Sequence, residues 1–425
     1  MINQNLINYV FFSIIFLSYI LGFYLDEDSA GGGKVDLIEH EWGNYLLFKS
    51  TPLIEALTSL SYESSRTPLF LIIHKYNFFI NSIEDFRFVT FLFGFIIFYF
   101  FCVLLKKKFK NLSLSLLLLI SSLILLSPYF RSSVYWANQE HLAIFFFIIS
   151  LISFEYCKVI NFDEKEKIKY YFFAVLSSFL GFLSFYSDQK FFFLAPIIYF
   201  YLINKNSVKF FVIFSSFNFL FFLPTIYLFF IWGGIVPIES QFRLGNTPSN
   251  INIFISNIGI YFIPLFIIYL YKNKFKFPIL EKKEFIFLVI FSIILYFILP
   301  KDPSLEGSGI IFRLLSVIYD KKFLAIEWEF FRFLYFLINI FFIYLATIFL
   351  RASLNNLFIL FSFSFIFYLT YFSYQSYVDP IFLILLYSLF DVRNIKVEDE
   401  KVVYINLSFY SFILVSSILF RAYVI

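Results

Sequence analysis

The chain has 425 residues, of which 61% are hydrophobic and only 15% charged. That is more apolar side chain than a water-soluble domain of this length can bury, so a soluble enzyme is excluded and an integral membrane protein is expected. The formal net charge is only +4, and the lysines are spread through short connectors. A nucleic-acid-binding surface is therefore excluded as well.

In chain order, residues 6–25 form an apolar run of about 20 residues with no basic segment before it, long enough for a full span and longer than a signal-peptide core. It reads as a retained first helix. A bilayer core of roughly 30 Å needs about 20 apolar residues per helix, and on that basis about thirteen spans are expected. They begin near residues 6, 87, 112, 142, 170, 191, 208, 252, 284, 331, 354, 378 and 402. The fold class that follows is an all-α polytopic bundle forming a single transmembrane domain, 1–425. The two cysteines, Cys102 and Cys157, fall in or at the end of apolar runs and frame no disulfide.

Connectors alternate in character. Those at 106–110, 161–169, 204–209, 272–277 and around Arg393 and Lys396 carry lysine or arginine and, by the positive-inside rule, face the cytoplasm. The opposite connectors hold the polar and acidic motifs: 26–86, 127–141, 186–190, 232–250, 300–330 and 374–380. The first is too long to be plain coil and carries helix signals. Thr51 before Pro52 reads as an N-cap, with Leu53, Leu57 and Leu60 repeating at helical spacing, and Thr67 before Pro68 repeats the device. Between Asp36 and Phe48, the apolar residues Ile38, Trp42, Tyr45 and Leu46 share a helical face suited to the membrane interface.

The first span leaves the membrane at "DED". In an extended exit, Asp26 and Asp28 point the same way and Glu27 points away. Two like charges held close raise the proton affinity of one, which suits general-base work, or else jointly hold a divalent cation such as Mg²⁺ or Mn²⁺. A solvated acidic loop start accounts for the same residues. Arg66, Arg131, Lys190 and Arg313 stand in outer connectors near membrane boundaries, where a cation can neutralise a lipid-borne phosphate or anchor a helix among headgroups. In "YWANQEH", Asn138 and Glu140 beside Trp136 offer hydrogen bonds and a stacking surface that suit a sugar, or else form an aromatic belt over a polar helix start. The three histidines, His40, His74 and His141, follow no zinc-ligand spacing. There is no P-loop, dinucleotide fingerprint or nucleophile elbow.

The order of first helix, acidic exit "DEDSAGGG", long outer loop and "SSRTPLFLIIHK", with "SPYFRSSVYW", "WGGIVP" and "YQSYVDP" later, resembles the glycosyltransferase C superfamily of polytopic membrane enzymes. The resemblance implies inverting transfer of a sugar from a polyprenyl-phosphate donor to an acceptor glycan, lipid or protein on the outer face of the bacterial inner membrane. It puts the general-base or metal-binding role on Asp28 or Asp26. By position it offers Arg131, and then Arg66 and Lys190, to the donor phosphate. A surface-polysaccharide polymerase or ligase, a lipid flippase or transporter, and a non-catalytic membrane subunit are the competing readings. Ion-coupled transport is disfavoured, because the span centres are nearly free of charge.

Overall fold

The computed structural model describes residues 4–64, 66–160, 166–203, 208–245, 247–302, 309–321, 327–350, 354–370 and 374–423. Parts of the expected connectors at 161–169, 204–209 and 300–330 lie outside these. Among the described residues the regular structure is helical, with two isolated β-bridges. The chain divides into two compact units, residues 1–242 with 410–425, and residues 243–409. The single domain expected from sequence is thus two units by internal packing.

In the first unit the helices are α1 (Gln4–Tyr24), α2 (Trp42–Ser50), α3 (Leu53–Thr58), α4 (Leu69–Lys75), α5 (Ile83–Lys108), α6 (Leu114–Ser121), α7 (Pro128–Tyr135), α8 (Glu140–Val159), α9 (Lys167–Ser187), α10 (Leu194–Ile203) and α11 (Val208–Trp232). In the second they are α12 (Asn250–Gly259), α13 (Ile263–Lys272), α14 (Lys282–Phe297), α15 (Ile310–Asp320), α16 (Trp328–Phe349), α17 (Leu354–Leu369) and α18 (Ile381–Ser388); the last helix, α19 (Glu400–Tyr423), runs on into the first unit. Each expected span start falls on or within a few residues of one of these helices. Among the described residues, eight helices are long and apolar enough to cross a membrane. The chain is an integral membrane protein. A ninth span results if residues 114–126 and 128–135, bent by 71°, count as one. The remaining expected spans correspond to α10, α14, α17 and α18, all of 16 residues or fewer.

Local chemistry explains the helix ends of the first unit. Ser82 and Asp85 form a reciprocal capping box that starts α5, and Lys106, Lys107 and Lys108 end it, opposite charges at the two ends of the helix dipole. Ser127 accepts from the Phe130 amide at 3.0 Å and Pro128 opens α7, which stops the preceding helix and turns the chain sharply. The two threonine caps expected in the long connector are corrected. Thr51 instead donates to the Leu47 carbonyl at 2.5 Å, closing α2, and α3 ends at Thr58, before Leu60. Thr67 donates to the Phe185 carbonyl at 2.5 Å and so ties the connector to α9. A hydroxyl next to proline serves whichever carbonyl is near: for Thr51 a local one, four residues back in the last turn of α2, and for Thr67 a distant one, 118 residues on in α9. The amphipathic stretch is helical from Gly33 to Ser50 through a π-helical turn at Leu37–Glu41. Of its expected apolar face, Tyr45 is buried whereas Ile38 and Leu46 are exposed.

Candidate functional site

The polar connectors of the first unit converge at one end, where α1 and α9 finish and α5 and α8 begin. The lysine-bearing ends lie opposite, with Lys107 set over the Tyr156 ring. Two groups of charged side chains occupy the acidic end.

The first is built on "DED". The exit is not extended: Asp26 has φ +54°, and the Asp26 and Glu27 amides bond back to Phe23 and Gly22, so the tail of α1 winds on. That winding reverses the expected directions. Glu27, expected to point away, faces inward and takes a two-pronged ion pair from Arg131, at 2.8 and 2.6 Å. The Arg131 side chain is 2% exposed and that of Glu27 9%. Arg131 also donates to the Ser18 carbonyl at 2.7 Å, and Gly22 leaves the room for the pair, since a Cβ there would sit 2.3 Å from the Arg131 Nη2. Asp28 accepts from the Gly33 amide at 3.2 Å, the Lys34 amide at 3.3 Å and the Ser132 hydroxyl at 2.7 Å. Asp26 accepts from Arg87 at 2.6 Å. The Arg87 guanidinium also lies 3.9 Å from the centre of the Trp136 ring, whose Nε1 donates to the Glu27 carbonyl at 2.9 Å. An open groove of about 290 Å³ beside this pair is lined by Phe23, Tyr24, Asp26, Glu84, Arg87 and Phe88.

The second group is buried. Arg66 donates to Glu41 at 2.7 Å and lies 3.7 Å from Asp188; Lys190 lies 2.5 Å from Glu140 and 3.6 Å from Asp188. Gln139 donates to the other Glu41 oxygen at 2.9 Å, and Asn138 accepts from the Glu140 amide at 3.2 Å. Three carboxylates thus face two cations. Burial pushes the Glu41 carboxyl up from its ordinary range, and Arg66 and Gln139 only partly offset it. Burial also works against the Arg66 charge, but Glu41 and then Asp188 outweigh it and hold the guanidinium above its usual value. Close by, His74 is buried against Phe70 and Phe86, and desolvation lowers it to about 4.

Of the residues singled out from sequence, Asp26, Asp28, Arg66, Arg131, Asn138, Glu140 and Lys190 therefore stand at this one end. Arg313 belongs to the second unit, on the exposed side of α15. The expected convergence of Asp26 and Asp28 is replaced by separate partners for each. Sharing a divalent ion would require Asp26 to leave Arg87 and Asp28 to leave two amides and a hydroxyl, so the arrangement does not offer a ready pair of oxygens. Among the described residues no group of three or more His, Cys, Asp or Glu side chains gathers as metal ligands. Sequence reasoning missed Arg87 and the placing of Glu41 and Asp188. The "EDFRF" opening of α5, a lone arginine facing the acidic exit, was the available signal for Arg87. Protein-family models, curated proteins and solved structures give no match to this chain.

Proposed function

We propose that this chain is a glycosyltransferase that moves a sugar from a polyprenyl-phosphate donor to an acceptor at the outer face of the bacterial inner membrane, with the acidic end of the first unit as its site. The observation that carries the reading is that one short segment, Arg131–His141, touches both the "DED" exit and the Glu41–Arg66–Asp188–Lys190–Glu140 group. Carboxylates and cations from separate connectors are thereby held at one membrane boundary, where a lipid-borne phosphate would arrive.

In this proposal the acceptor hydroxyl loses its proton to a carboxylate as its oxygen attacks the anomeric carbon from the side opposite the phosphate. The C–O bond to the phosphate breaks, and the departing phosphate gains the negative charge. Asp26 serves as the base, being the most exposed of the three acidic residues, and Asp28 shapes the turn beside it. Arg87, which lines the open groove and keeps one terminal nitrogen beyond its bonds to Asp26 and the Tyr135 carbonyl, meets the phosphate in place of Arg131, which is buried with its donors on Glu27 and Ser18. Arg66 and Lys190 hold the second group together behind it.

The test is sugar transfer from a lipid-linked donor in membranes carrying the full chain. Asp26→Asn is expected to lower the rate about 100-fold to 10,000-fold with normal protein abundance. Arg87→Lys should keep part of the activity and Arg87→Gln lose most of it. Near-normal transfer by the double variant Asp26→Asn, Asp28→Asn would overturn the proposal. A chelator arm reads the role of a divalent ion: full activity after chelation leaves Asp26 acting as a base alone. For orientation, a cysteine at the exposed Glu63 should react with an impermeant reagent from outside the cell.

A further inference from the structure

The buried amides of the second unit, among them Asn339 donating to Asn252 at 3.4 Å, are packed shut. Open space lies instead in the first unit, in the groove of about 290 Å³ where the end of α1 meets the start of α5. The sugar-transfer reading uses its Asp26 and Arg87. It leaves Glu84 and the aromatic walls without a task.

Glu84 is exposed and makes no hydrogen bond or ion pair among the described residues. Its neighbour Asp85 already supplies the capping box of α5, so the cap does not need it. Glu84 stands three and four residues before Arg87 and Phe88, which puts all three on one side of the helix. The groove therefore carries two carboxylates, Asp26 and Glu84, against one guanidinium, and the Asp26 side chain is 56% exposed whereas that of Arg87 is 16% exposed. One negative charge is left over at its mouth.

The rest of the lining is aromatic. Phe23 packs on Phe88 across the two helices with ring centres 6.4 Å apart, and Tyr24 meets Phe23 edge-on at 5.6 Å. One turn deeper along each span, on the faces of Tyr24 and Phe88, Leu21 and Leu92 are 57% and 44% exposed. The groove thus runs on into an apolar strip of the kind that faces lipid tails.

We propose that the groove seats the headgroup of a zwitterionic phospholipid that bears a primary ammonium. Its phosphate meets the remaining terminal nitrogen of Arg87, its ammonium bridges Asp26 and Glu84, and its acyl chains run past Leu21 and Leu92. A primary ammonium has three donors and can satisfy two carboxylates at once, beside aromatic faces that also attract a cation. A trimethylammonium has no N–H to give, and an anionic headgroup leaves the surplus carboxylate unanswered. Because Arg87 is shared with the donor phosphate of the sugar-transfer proposal, the two lipids exclude each other. Binding itself needs no transfer reaction and stands or falls apart from it.

The test uses the full chain in phosphatidylglycerol nanodiscs that carry phosphatidylethanolamine with a photoreactive acyl chain. Labelling is expected around residues 14–25 and 84–99, with competition by unlabelled phosphatidylethanolamine and much weaker competition by phosphatidylcholine. Glu84→Gln should weaken labelling there about 5-fold, or roughly 1 kcal/mol, the upper range for an ion pair open to water. Glu55→Gln, on the exposed side of α3 and outside the groove, should leave it unchanged. Equal competition by the two lipids, or parental labelling of the Glu84→Gln protein, would overturn the site and leave an unselective lipid-facing surface. Because the competition arm needs only the unmodified protein, poor folding of a variant does not shield the proposal.

Discussion

The two units handle buried polarity in opposite ways. At the acidic end of the first, charged side chains are paired tightly, as in Glu27 with Arg131 and Lys190 with Glu140. Inside the second, the buried polar groups of α12 and α16 are amides and hydroxyls, some of them without a partner, and among the described residues the ion pairs Lys272–Asp399, Arg332–Glu329 and Arg393–Glu284 involve residues of the connectors and helix ends. A buried ion pair is costly to break because the survivor is left charged, whereas a neutral amide loses little when its neighbour goes. The first unit should therefore be brittle to single substitutions and the second forgiving.

The largest effect should come from Arg131→Met. It leaves Glu27 buried and unpaired, and a loss of about 3–5 kcal/mol is expected, read as lost thermal midpoint or lost yield in detergent. Glu27→Gln should be nearly as damaging, the reverse of what an extended "DED" implies. If either variant is as stable as the parent, the contrast between the units fails.

Next in size is the pH response of the first unit. His74 is held neutral at about 4, below its ordinary 6.5. A depressed value means the fold disfavours the proton, so the stability it contributes is complete above 6.5 and is lost as pH falls toward 4. By pH 4.5 the loss should reach roughly 2–3 kcal/mol, and His74→Phe should flatten that part of the melting-temperature profile. An unchanged profile would sink this assignment.

Arg66→Met should cost about 1–3 kcal/mol, less than Arg131→Met, because Lys190 still faces Asp188 and Glu41 can take up a proton. Thermal midpoints of the two variants side by side test the ranking. The smallest effect is expected in the second unit, where Asn339→Leu removes one long interhelical bond. About 0.6 kcal/mol is the scale of such a contact within a membrane, so its midpoint should barely move. A loss as large as that of Arg131→Met would erase the distinction.

The helical class and the membrane character were legible because hydrophobic length alone reveals apolar helices: the expected starts fall on or within a few residues of helices, though among the described residues only eight of those helices are long and apolar enough to cross a membrane. The failures have specific causes. Thr51 and Thr67 carry correct capping chemistry, but Thr51 bonds back to the preceding turn at Leu47 and Thr67 to the distant Phe185 carbonyl. The direction of Asp26, Glu27 and Asp28 depended on one left-handed residue, Asp26, that no periodicity announces. Arg131 could be seen as a lone cation between apolar runs, and such a residue needs a countercharge. Its partner lies 104 residues away, and pattern reasoning has no rule for choosing that carboxylate among the others. The splitting into two units was invisible for the same reason, since it depends on which helices pack and not on how long they are.

The first unit is also discontinuous, and this bears on how the protein is made. The Ser29 carbonyl is bonded by Ser417, 388 residues on, and the Ala30 carbonyl by Arg421; Gly31, at φ +73°, has no side chain to block that arginine. At roughly 5–20 residues per second, a ribosome needs about 20–80 seconds to travel from one side of this contact to the other. Throughout that interval the turn beside the acidic exit waits in the membrane without its closing strap. The first helix is therefore inserted among the earliest and finished among the last, and a nascent chain halted before α19 would carry its candidate site half assembled.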